Sequence, residues 1–278
     1  MASLKTPLRY PGGKSRAVKK LAPFLPDLTK FKSYREPFLG GGSVALYVTQ
    51  QYPHLDIWVN DLYEPLVNFW KQLQEDPVEL VKRLRCFKSQ YPNRDRAREL
   101  FNESKELLRE PNASLTTRAV AFYITNKCSF SGLTESSSFS PQASDSNFSL
   151  RGIEKLPEYS DVIQNWKITN QTYQELYTDS VDTFTYLDPP YEIGSNLYGK
   201  RGAMHKGFDH DEFYEHCDRW IGKMMVSYNS SQLIKERFID WDAQEYDHTY
   251  TMRSVGEYMK DQQERKELLL LNYDVLCR

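Results

Sequence analysis

The strongest constraint on the fold is an alternation along the chain. Short apolar runs rich in β-branched and aromatic residues recur at 34–38, 56–60, 166–170, 183–187, 223–228 and 267–273. Between them lie stretches whose apolar residues repeat with helical spacing, at 43–51, 64–74, 210–221 and 231–238. Asp209, followed three residues on by Glu212, has the form of a capping box opening the third of these helices. Strands that alternate with helices predict an α/β fold built on a mostly parallel sheet. In such a sheet, ligands sit beyond the carboxyl ends of the strands, near the point where strand order reverses.

Two stretches break the rhythm. Residues 75–125 read as helical and charged, and residues 129–150 as a long Ser-rich loop. Together they form an insertion between the second and third strands. At the other end, "AQEYDHTYTMRS" and "RKELLLLNYDVL" read as two strands joined by a loop, which predicts an antiparallel pair at one edge of the sheet. A net charge of −2 and a pI near 6.3 argue against nucleic-acid binding through bulk charge, but not against a local basic surface. Residues 82–109 are a candidate, with Lys82, Arg83, Arg85, Lys88, Arg94, Arg96, Arg98, Lys105 and Arg109 against Asp95, Glu99, Glu103 and Glu106. For such a run taken alone, a solvated helical face is the favoured explanation. Cys86, Cys128, Cys217 and Cys277 have no metal-like spacing and suit a reducing compartment. No apolar run reaches membrane-spanning length, and "MASLKTPLRYPGGK" lacks the apolar core of a secretory signal, so the expected location is the cytoplasm.

The strand ends carry the chemistry. "TFTYLDPPYE" runs a buried-looking strand into Asp188, Pro189, Pro190 and an exposed-looking Tyr191, and the two prolines end the ladder because neither has an N–H to give it. After the first strand, "EPFLGGGS" places Glu36, Phe38, Gly40 and Gly42 at a turn where the backbone approaches a ligand closely. A glycine turn alone also serves tight strand–helix packing, and no Lys-Ser/Thr pair makes this a Walker A loop. After the second strand, "VNDLYEP" supplies Asp61, about 20 residues on, where a carboxylate accepts from a ribose; a helix cap is the plain alternative. Ahead of the first strand, "LRYPGGK" reads either as a flexible turn or as a cap over a cofactor, with Tyr10 stacking and Lys14 pairing with a carboxylate.

With "LRYPGGK", "EPFLGGGS", "ND" and "DPPY" in this order, the chain resembles the Dam family (D12 class, alpha group) of DNA adenine-N6 methyltransferases over nearly its whole length. The resemblance implies a Rossmann-like sheet that binds S-adenosylmethionine (AdoMet) and ends in a reversed hairpin. Residues 1–74 and 160–278 would form the catalytic domain, and 75–159 a mainly helical target-recognition insertion. It implies cofactor contacts at Tyr10, Lys14, Glu36, Asp61, Tyr173 and Asp188, with the turn containing Phe38, Gly40 and Gly42 beneath the methionine part. It implies a catalytic loop of Asp188, Pro189, Pro190 and Tyr191. Such a reaction on duplex DNA needs phosphate contacts, for which Lys127, Arg151, Lys200, Arg201, His205 and Lys206 flank the expected site, with Ser129, Ser131 and Thr134 as further DNA-binding candidates. Many relatives carry an acidic residue before the aromatic that corresponds to Tyr173, whereas here it is Thr172. "FSGLTESSSF" has Thr134 and Glu135 where GATC-specific members have a basic residue, so that specificity does not carry over.

The implied reaction makes sense of these residue types. Adenine N6 is a poor nucleophile, and two acceptors on its hydrogens localise the lone pair. The Asp188 carboxylate supplies one and the Pro189 carbonyl the other, held by the rigid prolines. An ordinary Asp is far too weak a base to deprotonate an aromatic amine first, so proton loss should follow transfer. Tyr191 would stack on an adenine flipped from the duplex, and basic residues would hold phosphates. His205 and His210 beside Asp209 and Asp211 could suggest a metal, but nothing in this chemistry needs one. The expected partner is double-stranded DNA, with a monomer or weak dimer acting on it and a cognate restriction endonuclease left open. The rivals are methylation of cytosine N4, RNA adenine or a glutamine amide, a non-catalytic DNA-binding protein of the same fold, and an unrelated nucleotide-binding α/β enzyme.

Overall fold

Each of the apolar runs becomes a strand close to its expected place in the computed structural model, which describes residues 4–91, 93–132, 137–192, 207–247 and 266–275. The strands are β1 (Ser33–Glu36), β2 (Asp56–Asn60), β3 (Trp166–Thr169), β4 (Thr183–Leu187), β5 (Lys223–Asn229), β6 (Asp242–Asp247) and β7 (Lys266–Leu271). They form one sheet in the order β3-β2-β1-β4-β5-β7-β6. The first five are parallel, and β7 runs antiparallel to both β5 and β6, which is the expected reversed hairpin. β1 stops two residues earlier than its apolar run predicts, because Pro37 has no N–H for the ladder. β4 is buried along its entire length, as a central parallel strand covered on both faces must be.

The chain runs outward from β1 to β2 and β3, then returns to lay β4 on the other side of β1. The carboxyl ends of β1 and β4 therefore flank the switch point, and the glycine turn and Asp188 sit there.

The helices are α1 (Val18–Leu21), α2 (Ser43–Gln51), α3 (Glu64–Glu75), α4 (Pro77–Gln90), α5 (Arg94–Leu107), α6 (Leu115–Cys128), α7 (Pro141–Asn147), α8 (Leu150–Glu154), α9 (Leu156–Ile163), α10 (His210–Arg219) and α11 (Gln232–Arg237). The insertion is helical as expected, and its helix starts are written locally. Asp76, Asn93, Ser114, Ser140 and Ser149 each accept a backbone N–H at the opening of α4 to α8. This corrects the expectation of a continuous loop over 129–150. Ser140 caps α7, Pro141 starts it with a preset φ, and a bridge between Ser129 and Phe139 closes the turn before it. Asp209 caps α10 by accepting from the N–H groups of Asp211 and Glu212.

α6 is buried nearly all round and packs on α3 and α5. Phe69 of α3 meets Phe122 and Tyr123 of α6 at ring separations of 5.7 Å, and Trp70 meets Trp166 of β3 at 5.6 Å. The helices of the insertion and one face of the sheet thus share a single apolar core.

Candidate active site

Period-two alternation on β1 sends Tyr34 and Glu36 to the same buried face, and the Tyr34 hydroxyl donates to Glu36 Oε2 at 2.6 Å. Burial pushes the Glu36 carboxyl well above the usual range, with Asp188 and Asp61 adding repulsion. Beyond Glu36 the chain turns at Gly40 and Gly42, both at positive φ (49° and 66°). A Cβ at Gly40 would lie 2.9 Å from the Tyr10 ring, and one at Gly42 2.9 Å from the buried Trp70 ring. The glycines therefore do two things: they permit the left-handed backbone, and they let Tyr10 and Trp70 press onto it.

Asp61 follows β2 directly and braces this turn. Its Oδ2 accepts from Gly40 N–H at 2.8 Å and its Oδ1 from Tyr63 N–H at 2.9 Å. Burial raises its pKa to about 6 against those hydrogen bonds. Capping and cofactor binding are compatible here, since a carboxylate has about four lone-pair positions and the Gly40, Tyr63 and Leu62 N–H groups do not fill them all.

Asp188 emerges from β4 at the centre of a charge cluster. Lys14 Nζ donates to Asp188 Oδ1 at 2.7 Å and Oδ2 at 2.9 Å, to the Tyr191 hydroxyl oxygen at 2.7 Å, and to Gly12 O at 3.2 Å. Its second carboxylate neighbour is Glu267 Oε2, 3.7 Å away. Burial disfavours the Lys14 cation, but Asp188, Glu267 and the tyrosine oxygens outweigh it and raise its pKa well above the ordinary value. Burial raises the Asp188 carboxyl to about 6, with Lys14 opposing the rise. The Asp188 side chain keeps 20% exposure, all that opens the acid to an incoming group, while Lys14 keeps 3%.

One pocket joins these parts. Its walls include Tyr10, Lys14, Glu36, Phe38, Gly40, Gly42, Asp61, Asp188 and Pro190, all singled out from the sequence. Tyr173 does not line it but stacks on Phe38 at 5.4 Å. Pro189 is buried and does not line the pocket. Tyr191 corrects an expectation. It is buried rather than exposed, because its hydroxyl takes the Lys14 bond and its ring packs 6.1 Å from Tyr228. Tyr186 and Phe208 also line the pocket, though neither was expected there from the sequence. Tyr186 sits two residues before Asp188, so strand alternation could have placed both on one face.

The expected DNA-contacting residues are scattered. Lys127 ends α6 half-buried over the Tyr123 ring, and burial lowers its pKa to about 8. Ser129 faces inward and donates to Asn126 O at 3.2 Å. Arg151 is exposed on α8, and Ser131 lies in the turn Phe130–Gly132. Thr134, Lys200, Arg201, His205 and Lys206 lie outside the described residues. His210 makes a 2.7 Å hydrogen bond with the Tyr228 hydroxyl. In the basic stretch, Lys82 and Arg83 pair with Glu79, Arg85 with Glu154, Arg94 with Asp145 and Arg96 with Glu99. Much of its positive charge is thus matched within the molecule.

An open, mostly parallel sheet with a reversed hairpin at one edge and a glycine-braced pocket at its switch point defines a Rossmann-like methyltransferase fold. Residues 10–252 match the family model described as D12 class N6 adenine-specific DNA methyltransferase, and the chain belongs to that family. It is 24% identical over 304 aligned positions to the type II methyltransferase M.MjaIII of Methanocaldococcus jannaschii, covering 96% of this chain and 98% of that one. It is 22% identical over 281 positions to the type II methyltransferase M1.LlaDCHI of Lactococcus lactis subsp. cremoris, covering 95% and 94%.

Proposed function

We propose that the protein transfers a methyl group from AdoMet to N6 of an adenine flipped out of duplex DNA, with Asp188 as the acceptor and charge stabiliser. One observation carries this reading: the carboxylate at the mouth of β4 opens into the same pocket as the glycine cradle of β1.

The pocket fits the cofactor. Glu36, Asp61 and Asp188 line it, a donor set that suits the cationic sulfonium and ammonium of AdoMet. The buried Tyr186 hydroxyl has no hydrogen-bond partner among the described residues, and a buried polar group left so is costly unless a ligand satisfies it. Phe38, Leu39 and Phe208 offer apolar walls to a purine, and Asp61 keeps a lone pair for a ribose. AdoMet brings the methyl on a sulfonium, so the N6–C bond forms as the S–C bond breaks, and a neutral thioether leaves.

The chain's part is to hold acceptors where charge develops. Asp188 takes one N6 hydrogen, the Pro189 carbonyl takes the other, and the carboxylate faces the cation that forms on N6 before its proton passes to solvent. Tyr191 leaves its Lys14 contact to stack on the extruded ring, a contact worth roughly 1–3 kcal/mol. Residues 1–74 and 160–278 carry catalysis and 75–159 reads DNA, with Lys127, Ser129, Ser131, Thr134, Arg151, Lys200, Arg201 and Lys206 on that surface. The working unit is a monomer or weak dimer in the cytoplasm. No described helix is long and apolar enough to cross a membrane.

The test incubates the protein with labelled AdoMet and unmethylated genomic DNA beside Asp188→Ala, then identifies the modified nucleoside and maps it by sequencing. N6-methyladenine from the unaltered protein alone is expected. N4-methylcytosine, or equal label from both proteins, would overturn the reading.

A further inference from the structure

Glu267 is the second residue of β7 in the run "KELLLL", where the next four positions are buried leucines. It lies beyond the stretch matched by the family model, residues 10–252. It is 1% exposed, so its carboxylate is enclosed by protein. Tyr246 and Lys14 stand beside it. Tyr246 of β6, its partner in strand register, donates its hydroxyl to Glu267 Oε2 at 2.7 Å. Lys14 Nζ approaches the same oxygen at 3.7 Å. A buried carboxylate survives only beside such partners.

Lys14 thus stands between two carboxylates, close on Asp188 and slightly farther from Glu267. This matters for the acceptor role of Asp188. An ammonium that donates to both Asp188 oxygens draws on the same negative charge that N6 must use. It also stands close to where a cation forms on N6. We propose that Glu267 is a positioning residue for methyl transfer: it shares the Lys14 ammonium with Asp188, so that Asp188 keeps the charge needed to accept from N6 and to face the developing cation. The edge hairpin is thereby tied to the chemistry at the switch point. The inference rests on the reaction proposed above.

The experiment measures single-turnover methylation of duplex DNA by enzyme already loaded with AdoMet, in the unaltered protein, Glu267→Gln, Lys14→Met and the double variant. The rate is expressed per AdoMet-binding site, titrated separately, so a partly unfolded sample still reads. Glutamine keeps an oxygen for the Tyr246 hydroxyl at nearly the same size and removes the negative charge. Glu267→Gln is expected to slow the step about tenfold or more, with AdoMet affinity within about threefold. In the Lys14→Met background the same substitution should cost less than about threefold, because the ammonium it acts through is gone. A smaller loss in the single variant overturns the inference, as does a loss that persists undiminished without Lys14. Failure of Glu267→Gln to bind AdoMet also overturns it, since Glu267 is given no part in holding the cofactor. If the unaltered protein makes no N6-methyladenine, the proposed function itself has failed instead.

Discussion

Among the described residues, the carboxyls of Glu36, Asp61 and Asp188 share one pocket with the buried ammonium of Lys14. Their environments give the residue scale its pH dependence. In its proposed role Asp188 must be ionised to accept from N6, and its pKa is pushed up to about 6. The kcat/KM for DNA should therefore fall as pH drops below about 6, a limb far above that of an ordinary Asp near 3.9. A pH–rate profile checks this, and a flat profile down to pH 5 would contradict it. Asp61 affects stability. Its folded pKa of about 6 lies above its unfolded value near 3.9, so its stabilising share is complete below about 4 and lost as pH rises through 6. That loss is roughly 3 kcal/mol at neutral pH. In the AdoMet-free protein the fall in Tm between pH 5 and 7 should be smaller in Asp61→Asn than in the unaltered chain. An equal fall in both would place the titration elsewhere.

At the scale of the element, the turn from β1 into α2 is where backbone conformation and packing meet. Gly42→Ala adds a Cβ at φ 66°, 2.9 Å from Trp70. The left-handed backbone alone costs about 1–2 kcal/mol for an L-residue, and the buried indole must also shift. Denaturant unfolding should show a loss of about 2 kcal/mol or more. Gly40→Ala meets the edge of the Tyr10 ring instead, so calorimetry should find AdoMet affinity reduced by about tenfold or more as the cap is displaced. The elements differ in how legible they were in the sequence. The strands could be read because β-branched and aromatic runs bounded by Gly, Pro and Asp have few alternatives. α7 could not, because serines favour turns and helix caps alike, and only the packing of Ala143 and Ser144 decides between them. Most of the pocket was legible because strand ends in a parallel sheet point the same way. The burial of Tyr191 was not, because the Lys14 that holds it lies 177 positions away in the chain. Glu267 stayed hidden as one acid in an apolar strand.

At the scale of the whole molecule, the helical insertion and the sheet are joined through Phe69, Trp70, Phe122 and Trp166. Phe122→Ala should cost about 3–5 kcal/mol and lower one transition seen alike by far-UV and tryptophan signals. Two separated transitions would mean that the insertion has a core of its own. The internal pairing of Lys82, Arg83, Arg85, Arg94 and Arg96 points DNA binding toward other basic residues, so neutralising Arg85 should leave the salt slope of DNA binding unchanged, where a phosphate contact would lower it by about 1. The proposed role of Asp188 on N6 is what ties the glycine cradle to the switch point. Asp188→Asn tests that most directly, because it keeps the shape and removes the charge. Single-turnover transfer from bound AdoMet to duplex DNA should fall about a hundredfold or more, while AdoMet binding changes far less. An Asp188→Asn enzyme that methylates adenine at the unaltered rate would contradict the account.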